Sequence, residues 1–175
     1  NFSYMQVWHT RKYGFCAFLT HYHDPAIRTS FFVSSRDGVR WSEWRRLAAI
    51  EEGHYQISAS NGDKVVCAFN YHPAGQGLNW RSNLYYMEST DGGATWVSAQ
   101  GDALQCPLTT VENEAMVWNY RRDGLNVYLK DLQLDSSGNP VILYLTSKGY
   151  ESGPHNNPRT WMTARWNGME WDIQS

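Results

Sequence analysis

Apolar and polar residues along this chain change places every one or two positions, and a helical period of about 3.6 is sustained nowhere. Short runs rich in Val, Tyr, Phe, Thr and Trp are separated by clusters of Gly, Asp, Asn and Ser, which is how strands joined by tight turns read. The runs cover residues 2–10, 13–23, 29–35 and 41–47, then 54–60, 64–72, 83–90 and 96–99, then 126–135, 141–150, 160–166 and 171–174. They predict twelve strands in three groups of four.

The groups repeat one another. Gly62-Asp63-Lys64-Val65-Val66-Cys67-Ala68-Phe69 parallels Gly138-Asn139-Pro140-Val141-Ile142-Leu143-Tyr144-Leu145, a turn feeding an apolar second strand. Cys16-Ala17-Phe18 and Cys67-Ala68-Phe69 are identical, and His21 and His72 follow them at the same distance. A second strand apolar on both faces belongs between two other sheets. Four-stranded antiparallel units recurring every ~40–50 residues are the signature of a β-propeller. A twelve-strand sandwich is the alternative, and it leaves the restarts unexplained. The blades are predicted at about 1–48, 49–99 and 125–175, with an insertion over 100–124 as the one place for a short helix.

Between the third and fourth runs of the second group stands Ser89-Thr90-Asp91-Gly92-Gly93-Ala94-Thr95-Trp96, a full S-x-D-x-G-x-T-W box. The first group carries a shortened version, Ser35-Arg36-Asp37-Gly38-Val39-Arg40-Trp41, and the third keeps Gly168 and Trp171. The carboxylate accepts backbone N–H bonds, Gly allows positive φ, and Trp fills the space between sheets, so the box reports fold rather than activity. These boxes make the chain resemble the bacterial neuraminidase repeat (Asp-box) propellers, which include sialidases. Asn83-Leu84-Tyr85-Tyr86, the strings starting at Asn126 and Asp135, and Gly153-Pro154-His155-Asn156-Asn157-Pro158-Arg159-Thr160-Trp161 are similar to the propellers that include ulvan-type polysaccharide lyases. Those relatives cleave rhamnose–glucuronate linkages, some by β-elimination and some by hydrolysis. They are closed rings of about six or seven blades, so the resemblance implies that three blades form an open arc of a larger ring, completed by self-association or by the remainder of a longer chain. It also implies a secreted or periplasmic protein.

Composition narrows the partners. A formal charge of −2 gives no basic footprint for nucleic acid. No apolar run approaches the ~20 residues of a membrane-spanning helix, so no membrane partner is expected. A hydrophobic content of 42% is too high for a disordered chain. The cysteines number three, and Cys16 and Cys67 lie in apolar runs, which reads as buried free thiols. The chain starts at Asn1 in what reads as mid-domain, so a missing leader says nothing.

In a propeller the box turns occupy one face, and the loops joining strands two to three and four to the next blade occupy the other. Binding chemistry is expected on that second face. It collects His21 and His23 from the first group, and His54, Tyr71 and His72 from the second. The insertion adds Tyr120, Arg121 and Arg122, and the third group adds Tyr150, His155 and Arg159. His21 and His23 have a spacing that suits a zinc pair, but nothing at fixed spacing completes a site. No cofactor is therefore expected, with a structural divalent metal left open. His54 and His72 bracket one predicted hairpin, so both imidazoles can face one cleft. By the resemblance, His54, His72 and Tyr120 take acid–base roles, Arg121 or Arg122 holds a uronate carboxylate, and the others contact an acidic polysaccharide. A lyase is the leading expectation. The alternatives are a glycoside hydrolase, either sialidase-like or a histidine-dependent rhamnosidase, and a propeller that binds glycan without cleaving it.

Overall fold

The computed structural model describes residues 2–23 and 27–175. It is all-β, with three four-stranded antiparallel sheets in meander order. The first contains β1 (Phe2–Thr10), β2 (Gly14–His23), β3 (Ile27–Ser35) and β4 (Arg45–Ala48). The second contains β5 (Gln56–Asn61), β6 (Lys64–Tyr71), β7 (Ser82–Ser89) and β8 (Met116–Trp118). The third contains β9 (Asn126–Leu134), β10 (Pro140–Ser147), β11 (Thr160–Trp166) and β12 (Trp171–Gln174). β2 and β6 lie in different sheets, as separate blades require.

Apolar side chains fill the two spaces between the three sheets. Phe18, Phe32 and Leu47 of the first sheet meet Val65, Cys67, Phe69 and Met87 of the second. The opposite face of β6, with Val66 and Ala68, joins Ile142, Tyr144 and Ala164 of the third. Strand alternation thus divides β6 between two cores. Cys16 and Cys67 are buried free thiols within the first of them.

The first strands of neighbouring blades are tied by polar bonds. Gln6 Oε1 accepts from the Ser58 amide at 2.6 Å and from its hydroxyl at 2.8 Å, and Trp8 Nε1 donates to Ser58 Oγ at 2.9 Å. Between the second and third blades, Asn70 Nδ2 donates to the Val127 carbonyl at 2.8 Å.

The box folds as its chemistry requires. Asp91 accepts from the Ser89 hydroxyl at 2.8 Å, the Thr95 amide at 3.0 Å and the Thr95 hydroxyl at 2.6 Å. Gly93 has φ +82°, and a Cβ there would strike the Phe32 ring of the neighbouring sheet. Trp96, 5% exposed, lies edge-on to Phe32 at 5.3 Å and to Phe18 at 5.8 Å. Trp171 does the same against Tyr86 at 5.4 Å. Each box tryptophan therefore packs on the preceding blade. Trp41, whose blade has no preceding one here, is 40% exposed.

Two details differ from the sequence expectation. The fourth strand of the second sheet is Met116–Trp118, drawn from the stretch expected as an insertion, whereas 96–99 contributes only isolated bridges from Val97 to Glu88 and Ala103. The buried Trp96 pulls the chain inward directly after the box turn, and the edge of β7 is then completed by the returning chain, with Tyr86 N–H bonded to Ala115 at 2.8 Å. The stretch 100–124 holds no helix, and among the described residues the one helical element is a 3-10 turn at Pro154–Asn156.

Trp96→Ala is expected to destabilise the fold by about 3–5 kcal/mol, as for a large buried aromatic, and Trp41→Ala by about 1 kcal/mol or less. Urea unfolding of the two variants side by side checks this.

Candidate active site

The face opposite the box turns gathers the chain's charged aromatic chemistry at the tops of β5, β6, β7 and β9. His54 precedes β5, and its whole ring is buried. Its Nδ1 lies 2.9 Å from the Asn70 carbonyl and must donate to it, so Nε2 is the acceptor for the Ile50 amide at 2.9 Å. Both nitrogens are occupied in the neutral ring. Burial holds its pKa down at about 3. The acid–base role expected for His54 therefore has no free nitrogen behind it, and the ring instead joins the loop at Ile50 to β6.

His72 follows β6 and is also buried. Its Nδ1 donates to the Trp80 carbonyl at 2.8 Å, while Nε2 has no hydrogen-bond partner. Burial, helped by the charges of Arg81 and Arg28, lowers its pKa to about 4 against the Trp80 bond and Glu52. Its ring meets Tyr55 edge-on at 4.8 Å. Arg28 and Arg81 lie over Tyr55 at 4.3 and 3.9 Å, and Arg81 also lies 5.0 Å from the Tyr128 ring. Arg81 Nε and the Tyr128 hydroxyl are buried and likewise lack hydrogen-bond partners. Gly53 makes this closeness possible: at φ +106° it pairs with Arg28, and a Cβ there would collide with the Arg28 backbone.

Beside this cluster runs a groove of about 600 Å³, lined by Pro73, Gln76, Trp80, Arg121, Asn126 and Lys148. Arg121 Nη1 donates to the Tyr71 hydroxyl at 2.8 Å and to Glu51 at 3.1 Å. Trp80 meets Tyr150 edge-on at 5.7 Å on the groove's far side. The carboxylates nearby hold backbone: Glu51 accepts from the Ala74 amide and Glu52 from the Gly75 amide, each at 2.6 Å.

Several expected site residues lie elsewhere. The Tyr120 hydroxyl is 2.6 Å from that of Tyr144 inside the core between the second and third sheets, where burial raises its pKa. His21 shares a strand face with Ala17 and Leu19, turned away from the second sheet, and its ring packs on Trp44 at 5.4 Å. The His23 side chain lies outside the described residues. Arg122 is exposed, with Asp123 at 3.9 Å. His155 is exposed on the 3-10 turn. Arg159 clasps its own loop through Gly153, Asn157 and Glu151. Among the described residues no three or more His, Cys, Asp or Glu side chains stand close enough to hold a metal ion. Arg28, Arg81 and Tyr128 were absent from the expected site. The signal for the two arginines was a charge at a strand start otherwise rich in buried residues, where Arg is rare.

Residues 27–175 match the family described as BNR repeat-containing. The chain belongs to that family. Among its relatives, the ulvan lyase of Nonlabens ulvanivorans is 25% identical over 126 residues, 66% of this chain and 26% of that protein. The structure of a PL25 ulvan lyase superposes with a TM-score of 0.73 at 21% identity, over 98% of this chain and 43% of that one. The same figures hold for a PL25 ulvan lyase bound to -[GlcA(1-4)Rha3S]-. This BNR-repeat chain thus spans less than half the length of the relatives it matches, and its three sheets correspond to part of their propeller.

Both buried histidines have folded pKa values below the unfolded value of about 6.5. The unfolded chain binds the extra protons, so their stabilisation is complete above about pH 6.5 and is lost as the pH falls through about 4 for His72 and about 3 for His54. Urea midpoints are expected to drop steeply over that interval, and to drop less in His54→Gln.

Proposed function

We propose that this chain carries the catalytic face of a polysaccharide lyase that cleaves an acidic glycan by β-elimination, with His72 as the base. The observation that carries the reading is the neutral His72 ring, anchored through Nδ1, with a buried, unpartnered Nε2, its ring against Tyr55 and within reach of the charges of Arg81 and Arg28. In the reaction, Nε2 removes the proton on the carbon next to the uronate carboxylate. Arg81, with Arg28 behind it, neutralises that carboxylate and the enolate charge that grows there. The electron pair forms a C=C bond and expels the glycosidic oxygen, which the Tyr128 hydroxyl protonates. Each step uses side chains of the chain itself.

Two further points support an acidic sugar over a neutral one. Arg121 and Lys148 add positive charge to the groove, and Trp80 offers an aromatic wall on which a ring can stack. Likeness to ulvan lyases favours a rhamnose–glucuronate linkage, a site of action outside the cytoplasm, and further blades supplied by more chain or a second copy. Ordinary hydrolysis uses a pair of carboxylates across the bond, and Glu51 and Glu52 are already tied to backbone amides.

Incubation with rhamnose–glucuronate polysaccharide is expected to release unsaturated uronate, followed by ultraviolet absorbance. His72→Ala should lower that rate by about 10²–10⁴, while Tyr120→Phe should leave most of it. Depolymerisation without the absorbance would make the protein a hydrolase. A fully active His72→Ala protein would remove this site from either reaction.

A further inference from the structure

Among the described residues, two non-glycine residues have positive φ: Glu51 at +46° and Asn83 at +58°. Side chains rarely adopt this conformation, and where they do the surrounding structure maintains it at some cost. The two positions are far apart in sequence and sit in different settings, one in the link from β4 to β5 and the other near the start of β7. Yet both hold the same residue. Glu51 Oε1 accepts from Arg121 Nη1 at 3.1 Å, and Asn83 Oδ1 accepts from the Arg121 amide at 2.8 Å.

Each side chain is also braced. Glu51 Oε2 accepts from the Ala74 amide at 2.6 Å, which fastens the groove's Pro73–Gln76 wall to the residue that holds Arg121. Asn83 is fully buried and donates through Nδ2 to the Tyr85 hydroxyl at 3.1 Å, which donates onward to the Val111 carbonyl at 2.8 Å. The Tyr71 hydroxyl accepts from the same Nη1 at 2.8 Å. Arg121 is therefore held at its backbone by one strained residue and at its guanidinium by the other. Its Nε and Nη2 carry no bond to another described residue, and the side chain is 46% exposed at the groove.

We propose that Glu51 and Asn83 are positioning residues whose strained backbones set Arg121 as a pre-ordered contact for an anionic group of the glycan. This rests on the functional reading above for the nature of the ligand, though not for the placement of Arg121. A guanidinium fixed before binding loses little rotamer freedom when it takes an anion, which is the usual route by which pre-ordering raises affinity. Both Nη1 acceptors lie on one side of the fork, which leaves the other edge for the ligand.

The test uses Glu51→Gly, Asn83→Gly, Asn83→Asp and Arg121→Ala in the whole protein. Glycine relieves the backbone at either position but removes the side chain's hydrogen bonds, so a purely structural role predicts altered thermal stability with unchanged glycan affinity. Positioning predicts a different pattern. Crystal structures of Glu51→Gly and Asn83→Gly should show the Arg121 guanidinium displaced from Tyr71. Calorimetry with ulvan oligosaccharides should show binding weakened about tenfold, the scale of one charged hydrogen bond. Asn83→Asp, which keeps the acceptor for the Arg121 amide and tolerates positive φ but loses the Nδ2 donor to Tyr85, should retain more affinity than Asn83→Gly. In the Arg121→Ala background the glycine substitutions should have no further effect. Arg121 remaining in place in both glycine variants overturns the proposal whatever the ligand is. Additive losses in the double variants overturn it as well. A wild-type protein that binds no acidic glycan sinks the functional reading, and with it the anionic contact proposed for Arg121.

Discussion

The middle sheet has no face to give to solvent. On β6 the residues Val65, Cys67, Phe69 and Tyr71 enter one core, and Val66 and Ala68 enter the other, so both sides must be covered by another sheet. That constraint decides where everything else can be. Water reaches the blade chiefly at its loops and strand ends, and buried polar side chains on the strands must find partners across the blade boundary. Ser58 finds Gln6 and Trp8 in one direction, and Asn70 finds Val127 in the other. Burial of β6 thus forces the cross-blade bonds that fix one sheet against the next.

The same logic separates the two histidines that flank the β5–β6 hairpin. His54 sits where the Ile50 amide and the Asn70 carbonyl both converge on its ring, so it satisfies two buried backbone groups and acts as a rivet. His72, one residue past β6, meets only the Trp80 carbonyl, and its second nitrogen is left beside Arg81 and Tyr55. Two residues of the same type, both neutral and both buried, differ by a single backbone neighbour. That difference leaves one ring nitrogen of His72 without a hydrogen bond, where both of His54 have one.

This is also why the fold was more legible in the sequence than the site. Alternation and the Asp-x-Gly-x-Thr-Trp box are local signals, and β1, β11 and β12 run as the pattern predicts. β8 was not legible, because Met116-Val117-Trp118 is a short run in a polar stretch and becomes a strand only by completing the edge of β7. The family resemblance gave Tyr120 an acid–base role. Its hydroxyl is turned instead to Tyr144, from a different blade, which no local spacing announces. Arg28 and Arg81 were passed over for the complementary reason. They come from different blades and converge on Tyr55 and His72.

The cluster has an electrostatic property that none of its members has alone. The guanidinia of Arg28 and Arg81 help keep His72 neutral, so its Nε2 lone pair is available at any pH well above about 4. A base held in this way is weak, since the charges that keep it unprotonated also resist its taking a proton. An anion bound against Arg81 removes part of that resistance and raises the basicity of Nε2 while the anion is in place. The carboxylate of a uronate is such an anion, and it lies one bond from the carbon whose proton must be taken. Substrate binding and base activation are then one electrostatic event. In the proposed lyase a neutral sugar would leave His72 as weak a base as before, so that reading puts selectivity for acidic glycans in the chemical step as well as in binding.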